Sequence, residues 1–216
     1  MKKYELVLSD KIGNVTRIRA LRDIPELGVK AGDLGGYIQD EKNLSHEGSC
    51  WVSEEARISG KALVCGNAYV FGNAGVFGDA YIFGDARVTE DALIYGDAHV
   101  SGNAHVSGEA RIFGEARIFG KASVQGNALV YAGARITEDA DIGKPSDLLF
   151  FTNVGSDGGA LTVCKGKNGL LVVQGHSTST LDEFESAVNQ KSTEQIKKEY
   201  ALLMQFARLR LGGAEV

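Results

Sequence analysis

Apolar positions recur every six residues along the middle of the chain, and that period is neither helical nor the plain alternation of a long strand. From Ala56 to Pro145 fifteen units follow one another without a gap. Alanine holds the first position of each unit and valine or isoleucine the third. Glycine holds the fifth in most, followed by Asp, Asn or Glu. Six residues suit one short strand and one corner. Alternation along a strand points the Val/Ile inward and its neighbours at positions two and four outward. Gly followed by Asp or Asn tolerates the dihedrals of a corner, and alanine is small enough to sit just inside it. Three units close one triangular coil, so the run predicts five coils with stacked Val/Ile and Ala at their centre.

The flanking segments read differently. Residues 1–49 predict an N-terminal cap, in which Tyr4–Leu8 and Val15–Leu21 pair around a turn at Ser9–Asn14 and lead to a Gly-rich stretch from Leu27 to Tyr37. A solenoid leaves unpaired strand edges at its ends, and such a segment covers one of them. Cys50–Glu55, with Trp51 and Val52, reads as a degenerate first unit, so the solenoid is expected over residues 50–145. Beyond Lys144 and Pro145, Leu148–Asn153, Leu161–Lys165 and Gly169–Gln174 predict three short strands. Thr180 and Glu183 form a capping box that opens a helix through about Gln190. A second helix starts at Ser192 or Thr193 and runs to about Leu211, with Ile196, Tyr200, Leu203, Phe206 and Ala207 at helical spacing and Gly212 and Gly213 as its stop. Residues 146–216 are therefore expected to form a small α+β domain.

The repeat resembles that of the hexapeptide-repeat, left-handed β-helix superfamily, in which an aliphatic residue is followed four places on by a small one: Val76 and Ala80, Ile82 and Ala86, Val100 and Ala104. The resemblance covers about 90 residues and implies a left-handed parallel β-helix, commonly a homotrimer. Many members of the superfamily are acyltransferases that use coenzyme A. In layout, with Gly35, Gly36 and Tyr37 ending the N-terminal segment, the chain is similar to phage and prophage proteins that carry hexapeptide repeats. This resemblance implies a bacterial host cell as the setting.

Composition narrows the classes. A net charge of −5 over 216 residues gives no footprint for nucleic-acid binding. No apolar run is long enough to cross a bilayer and no leader pattern is present, which predicts a soluble cytoplasmic protein. Cys50, Cys65 and Cys164 are scattered and odd in number, so they suggest neither a disulfide framework nor a metal site. The glycines sit on the period of six and open no helix, so they form no phosphate loop.

Because every third unit returns to the same side, the outward residues align in columns on three faces. On the first, Phe77, Tyr95, Phe113 and Tyr131 follow Ser59 at position four, beside Leu93 and Leu129 at position two. So apolar a face predicts an oligomer interface, with a stacking platform for a planar ligand or a docking surface for the C-terminal domain as the alternatives. On the second face Tyr81, His99, Arg117 and Arg135 form one file. On the third, Arg87 lies one coil below His105. Arg, His, Tyr and Phe together suit an anionic aromatic ligand such as a nucleotide. The plainer expectation pairs Arg111 and Arg117 with Asp79, Asp97 and Glu115.

His99 and His105 point outward, as an acyltransferase base would, to take a proton from an acceptor attacking a thioester. The repeats, however, lack the protruding loop and the additional coils with which many family enzymes complete the acceptor and coenzyme A sites. His46 and His176 are isolated and are assigned to surface loops. The corner acids Asp79, Asp85, Asp91, Asp97, Glu109 and Glu115 suggest DNA mimicry, but turn chemistry also explains them and the same faces carry arginines. The reading that results is a non-catalytic binding protein, with no metal and no cofactor, for a small anionic ligand or a protein partner. Acyl transfer and a structural rod are the alternatives.

Overall fold

The computed structural model describes residues 2–212; the predicted helix stop at Gly213 lies outside the described residues. The chain is mainly β, a solenoid of parallel stacked coils with about six turns, followed by a four-stranded sheet and two helices. Strands β1 (Tyr4–Ile12), β2 (Val15–Ala20) and β3 (Leu34–Ile38) precede sixteen two-residue strands, β4 (Trp51–Val52) to β19 (Asp141–Ile142). The last segment contains β20 (Leu148–Val154), β21 (Gly159–Gly166), β22 (Gly169–Gln174), β23 (Ser177–Thr180), α1 (Leu181–Lys191) and α2 (Glu194–Leu211).

The coils stack in the predicted columns. Gly75 pairs with Leu93 on the first face, Tyr81 with His99 on the second and Arg87 with His105 on the third, each pair parallel and one full coil apart. Backbone N–H groups donate to the next coil: Leu93 N to Ala110 O at 2.9 Å, His99 N to Ala116 O at 2.9 Å. All fifteen first-position alanines and all fifteen third-position Val/Ile side chains have zero exposure, so the core is a continuous column of one small and one branched residue per unit. Burying each Val or Ile side chain contributes about 1.5–3 kcal/mol, and the repeat multiplies that gain.

One turn of the solenoid comes from residues outside the hexapeptide run. Tyr37 and Ile38 pair in parallel with Arg57 and Ile58, Leu44 bridges Val64, and Trp51 pairs with Tyr69. The spacing at the first two sites is longer than three hexapeptides, which hid this coil from the regular register. Gly35 and Gly36 are dictated by packing. A Cβ on Gly35 would lie 2.7 Å from the Trp51 ring and 2.6 Å from Ile18, and one on Gly36 2.6 Å from the Ala56 carbonyl. The hairpin β1–β2 continues the first-face sheet in antiparallel fashion. Strand β1 runs four residues further than expected, and the hairpin closes in two residues, with Gly13 at φ 60° as a II′-type turn demands.

The corners show why glycine can be replaced at some positions. Glu90 takes the glycine position at φ 60°, and its carboxylate accepts from Gly108 N of the coil above at 2.6 Å. Glu54 does the same for Gly72 N at 2.9 Å, at φ 55°. A compensating hydrogen bond thus accompanies each of these two strained residues.

The C-terminal sheet lies between the top of the solenoid and the two helices. Alternate residues face opposite ways: Leu148, Phe150 and Cys164 join the solenoid core, while Leu149, Phe151, Leu161 and Val163 pack with Phe184, Tyr200 and Met204. Lys167 N donates to Asp139 O at 2.8 Å, which ties the sheet to the last coil. The fourth strand, β23, was not predicted, since Ser177–Thr180 carries no apolar alternation. Thr180 caps α1 as expected: its hydroxyl accepts from Glu183 N and the Glu183 carboxylate from Thr180 N.

Candidate functional site

On the second face the predicted file is real but shorter. Tyr81, His99, Arg117 and Arg135 are successive Cα partners. The Tyr81 ring stacks on Phe83, with centroids 4.6 Å apart and planes at 26°, and meets the His99 ring edge-on at 5.8 Å. The Tyr81 hydroxyl and Cys65 Sγ share a hydrogen bond at 3.2 Å, and that pairing, with burial, raises the phenol's pKa. Arg117 is exposed and forms no ion pair among the described residues. Arg135 does not stand free beside it. Its guanidinium donates to the Gly175 carbonyl and lies 3.4 Å from His176 Nδ1, and its backbone N–H donates to Thr162 Oγ1 at 3.1 Å. The C-terminal sheet uses Arg135, which leaves Tyr81, His99 and Arg117 outward.

On the third face Arg87 and His105 are Cα partners, both exposed. They share a depression of about 490 Å³ with Asp85 and Asn103. A second depression, of about 220 Å³, shares Asp85 and Arg87 and is walled by Glu26 and Leu27 from the N-terminal segment. The Asp85 carboxylate accepts from Asn67 Nδ2 at 3.0 Å, and Arg87 forms no ion pair among the described residues. Arg87 therefore stands at the junction of two hollows with its charge unused. Sequence reasoning missed Asp85 and Asn103 as partners; reading the corner column beside Arg87 and His105 at the same coil period finds them.

The expected pairing of Arg111 and Arg117 with Asp79, Asp97 and Glu115 is not formed; Asp79 lies 3.6 Å from Lys61 instead. Three arginines outside the hexapeptide run hold carboxylates. Arg17 holds Asp10 and Glu55, Arg19 holds Glu5, and Arg208 holds Asp182 and Glu185.

On the first face Tyr95, Phe113 and Tyr131 stack as a ladder, at 5.1 Å with planes at 2° and at 5.5 Å with planes at 15°. Phe77 lies differently. Its ring covers Gly75, where a Cβ would come within 2.5 Å of it. Leu93 and Leu129 are half-buried beside the ladder. Tyr131 is the ladder's most open ring, at 47%.

His99 and His105 have no carboxylate oriented onto them among the described residues, and an imidazole base is ordinarily held by such a group. His46 lies in the loop before β4, as expected, but is half-buried there. Its ring stacks on Tyr4 at 4.4 Å, Nδ1 accepts from Lys3 N at 3.2 Å, and burial lowers its pKa. Among the described residues no three His, Cys, Asp or Glu side chains gather to hold a metal.

A further cleft, of about 660 Å³, opens between the C-terminal sheet and the helices, with Val172, Phe184, Val188, Ile196 and Tyr200 among its walls. Gln174 Nε2 donates to the Tyr200 hydroxyl at 2.6 Å on its polar side. The helical spacing that predicted α2 contained Ile196 and Tyr200 but gave no sign of a cleft beside them.

No protein-family model matches the chain, and no curated protein matches it.

Proposed function

We propose that the chain is a non-catalytic binding protein of the hexapeptide-repeat β-helix type, which holds a small anionic, nucleotide-like ligand on the outside of its solenoid. The observation that carries this reading is that Arg87 and Arg117 form no ion pair among the described residues, while Arg87 lies between two depressions and Arg117 continues the file of Tyr81 and His99. Arg87, with the His105 ring and the Asn103 amide around one depression, offers donors to a phosphate, and Asp85 offers an acceptor to a hydroxyl. Tyr81 and Phe83 supply aromatic surfaces on the adjoining face, where Tyr81 lies in file with Arg117. Assembly as a homotrimer through the Tyr95–Phe113–Tyr131 ladder would turn each outward column into the wall of a groove. The phage or prophage relationship, a bacterial cytoplasmic setting and sequestration of a host nucleotide signal belong to the same proposal and rest on the layout of the chain.

Calorimetric titration with a nucleotide panel and with inorganic phosphate tests it. Hydrogen bonds to charged groups contribute about 1.5–3 kcal/mol, so Arg87→Ala is expected to weaken nucleotide binding by about 10- to 150-fold. An affinity that Arg87→Ala and Arg117→Ala both leave unchanged refutes the site. Turnover of acetyl-CoA that His99→Ala or His105→Ala abolishes would replace the proposal with acyl transfer.

A further inference from the structure

Lys3 is the one lysine among the described residues with no exposed surface, and it is buried at the foot of the solenoid. Its Nζ lies 2.7 Å from Cys50 O, 3.4 Å from Glu47 O and 3.0 Å from Cys50 Sγ, and Cys50 also has zero exposure. As a neutral amine, the lysine has two N–H donors for the two carbonyls and a lone pair left for the sulfur. Burial favours that state: it lowers the Lys3 pKa and raises that of the Cys50 thiol, against the attraction between their charged forms.

We propose that Lys3 and Cys50 form a covalent oxidation site, in which a peroxide converts the thiol to a sulfenic acid and the Lys3 amine captures it. In the first step the thiol passes its proton to Nζ and the sulfur attacks the peroxide. The O–O bond breaks, and the departing hydroxide takes that proton, which leaves Cys–S–OH and water. In the second step the Nζ lone pair attacks the same sulfur, the S–O bond breaks, and the hydroxyl leaves as water with a proton from nitrogen. The sum is amine, thiol and peroxide giving an S–N bond and two waters, with two electrons passing from sulfur to peroxide. Sulfenic acids condense in the same way with a backbone nitrogen. Here the amine is held against the sulfur in advance, which favours capture over further oxidation. The bond would tie residue 3 to residue 50, across the β1–β2 hairpin and the first coil.

The test is intact-mass and peptide analysis of the full chain after hydrogen peroxide and a catalase quench. The expected product is about 2 Da lighter than the reduced protein, carries a linked Lys3–Cys50 peptide pair, and returns to the starting mass with dithiothreitol. It also melts at a higher temperature than the reduced form. Lys3→Arg keeps donors for the two carbonyls but removes the nucleophilic amine, so in that folded variant the linked pair disappears and Cys50 gains oxygen. Oxygen addition at Cys50 in the unsubstituted chain with Lys3 unlinked, or a Cys50 that stays reduced while Cys65 is oxidised, would overturn the proposal.

Discussion

Replacing Gly96 by alanine probes why glycine recurs at the corners. Gly96 has φ 72°, and a Cβ there would lie 3.0 Å from Gly114 N, 3.2 Å from its carbonyl oxygen and 3.4 Å from its Cα. Two costs follow. The left-handed dihedral costs a side chain about 1–2 kcal/mol, offset by about 0.4–1 kcal/mol through the stiffer unfolded chain. The contact with the next coil is backbone against Cβ, and relieving it means parting two hydrogen-bonded rungs, for about 1–3 kcal/mol more. Gly28 separates the two terms, because it has φ 70° and ψ 13° with nothing within 4 Å of a Cβ. Gly28→Ala should cost about 1 kcal/mol or less, and Gly96→Ala about 2–4 kcal/mol. Urea unfolding of both variants, followed by far-ultraviolet circular dichroism, measures the difference. Equal losses would show that stacking between coils contributes nothing to the glycine requirement, and the reasoning would fail.

Glu90→Ala keeps the strained φ and removes the bond to Gly108 N, so it should destabilise by about 1–2 kcal/mol in the same assay, whereas Glu90→Gly relieves the strain and should cost less. Burial alone would raise the Asp147 pKa, but Lys165 at 2.9 Å and the Gly143 and Lys144 N–H groups bring it below the usual carboxylate range. A lowered folded pKa contributes stability above the unfolded value of about 3.9, lost as pH falls through the folded one. Asp147→Asn should therefore melt below the unsubstituted protein at pH 7, and the gap should close on acidification; a gap that does not change with pH refutes the ion pair's role. Tyr95→Asp with Phe113→Asp should give a soluble monomer by light scattering if the ladder is the oligomer face, and an unchanged mass would exclude that face.

How much of the molecule could be read in advance depends on how strictly the chain repeats. Ala56 to Ile142 announce their own neighbours, since one inward residue per unit and a fixed period leave a single register. In the first coil Trp51 keeps the period and is legible, but Tyr37 and Leu44 escape because their spacing to Arg57 and Val64 exceeds three hexapeptides. Strand β23 escapes because its Ser/Thr run gains its place from pairing with β22, not from any apolar pattern. At the site, the order Tyr81, His99, Arg117 follows from the period, but the loss of Arg135 to the Gly175 carbonyl depends on how a later sheet folds back. Lys3 and Cys50 lie 47 residues apart in unrelated local patterns, so only tertiary packing reveals their contact.

The coil register also sets the units in which the protein can change length. Removing residues 92 to 109, one complete coil, would bring Arg87 against Ser123 and Gly75 against Arg111, with every inward Val, Ile and Ala still over its own kind. Both ends would keep their orientation, and the two capping segments would come closer by one rung, about 4.8 Å. Removing a single hexapeptide preserves the same core pattern but turns the C-terminal sheet by about a third of a revolution relative to the β1–β2 hairpin. Insertions and deletions in this chain are thus quantised: whole hexapeptides keep it folded, and whole coils also keep its two ends facing the same way.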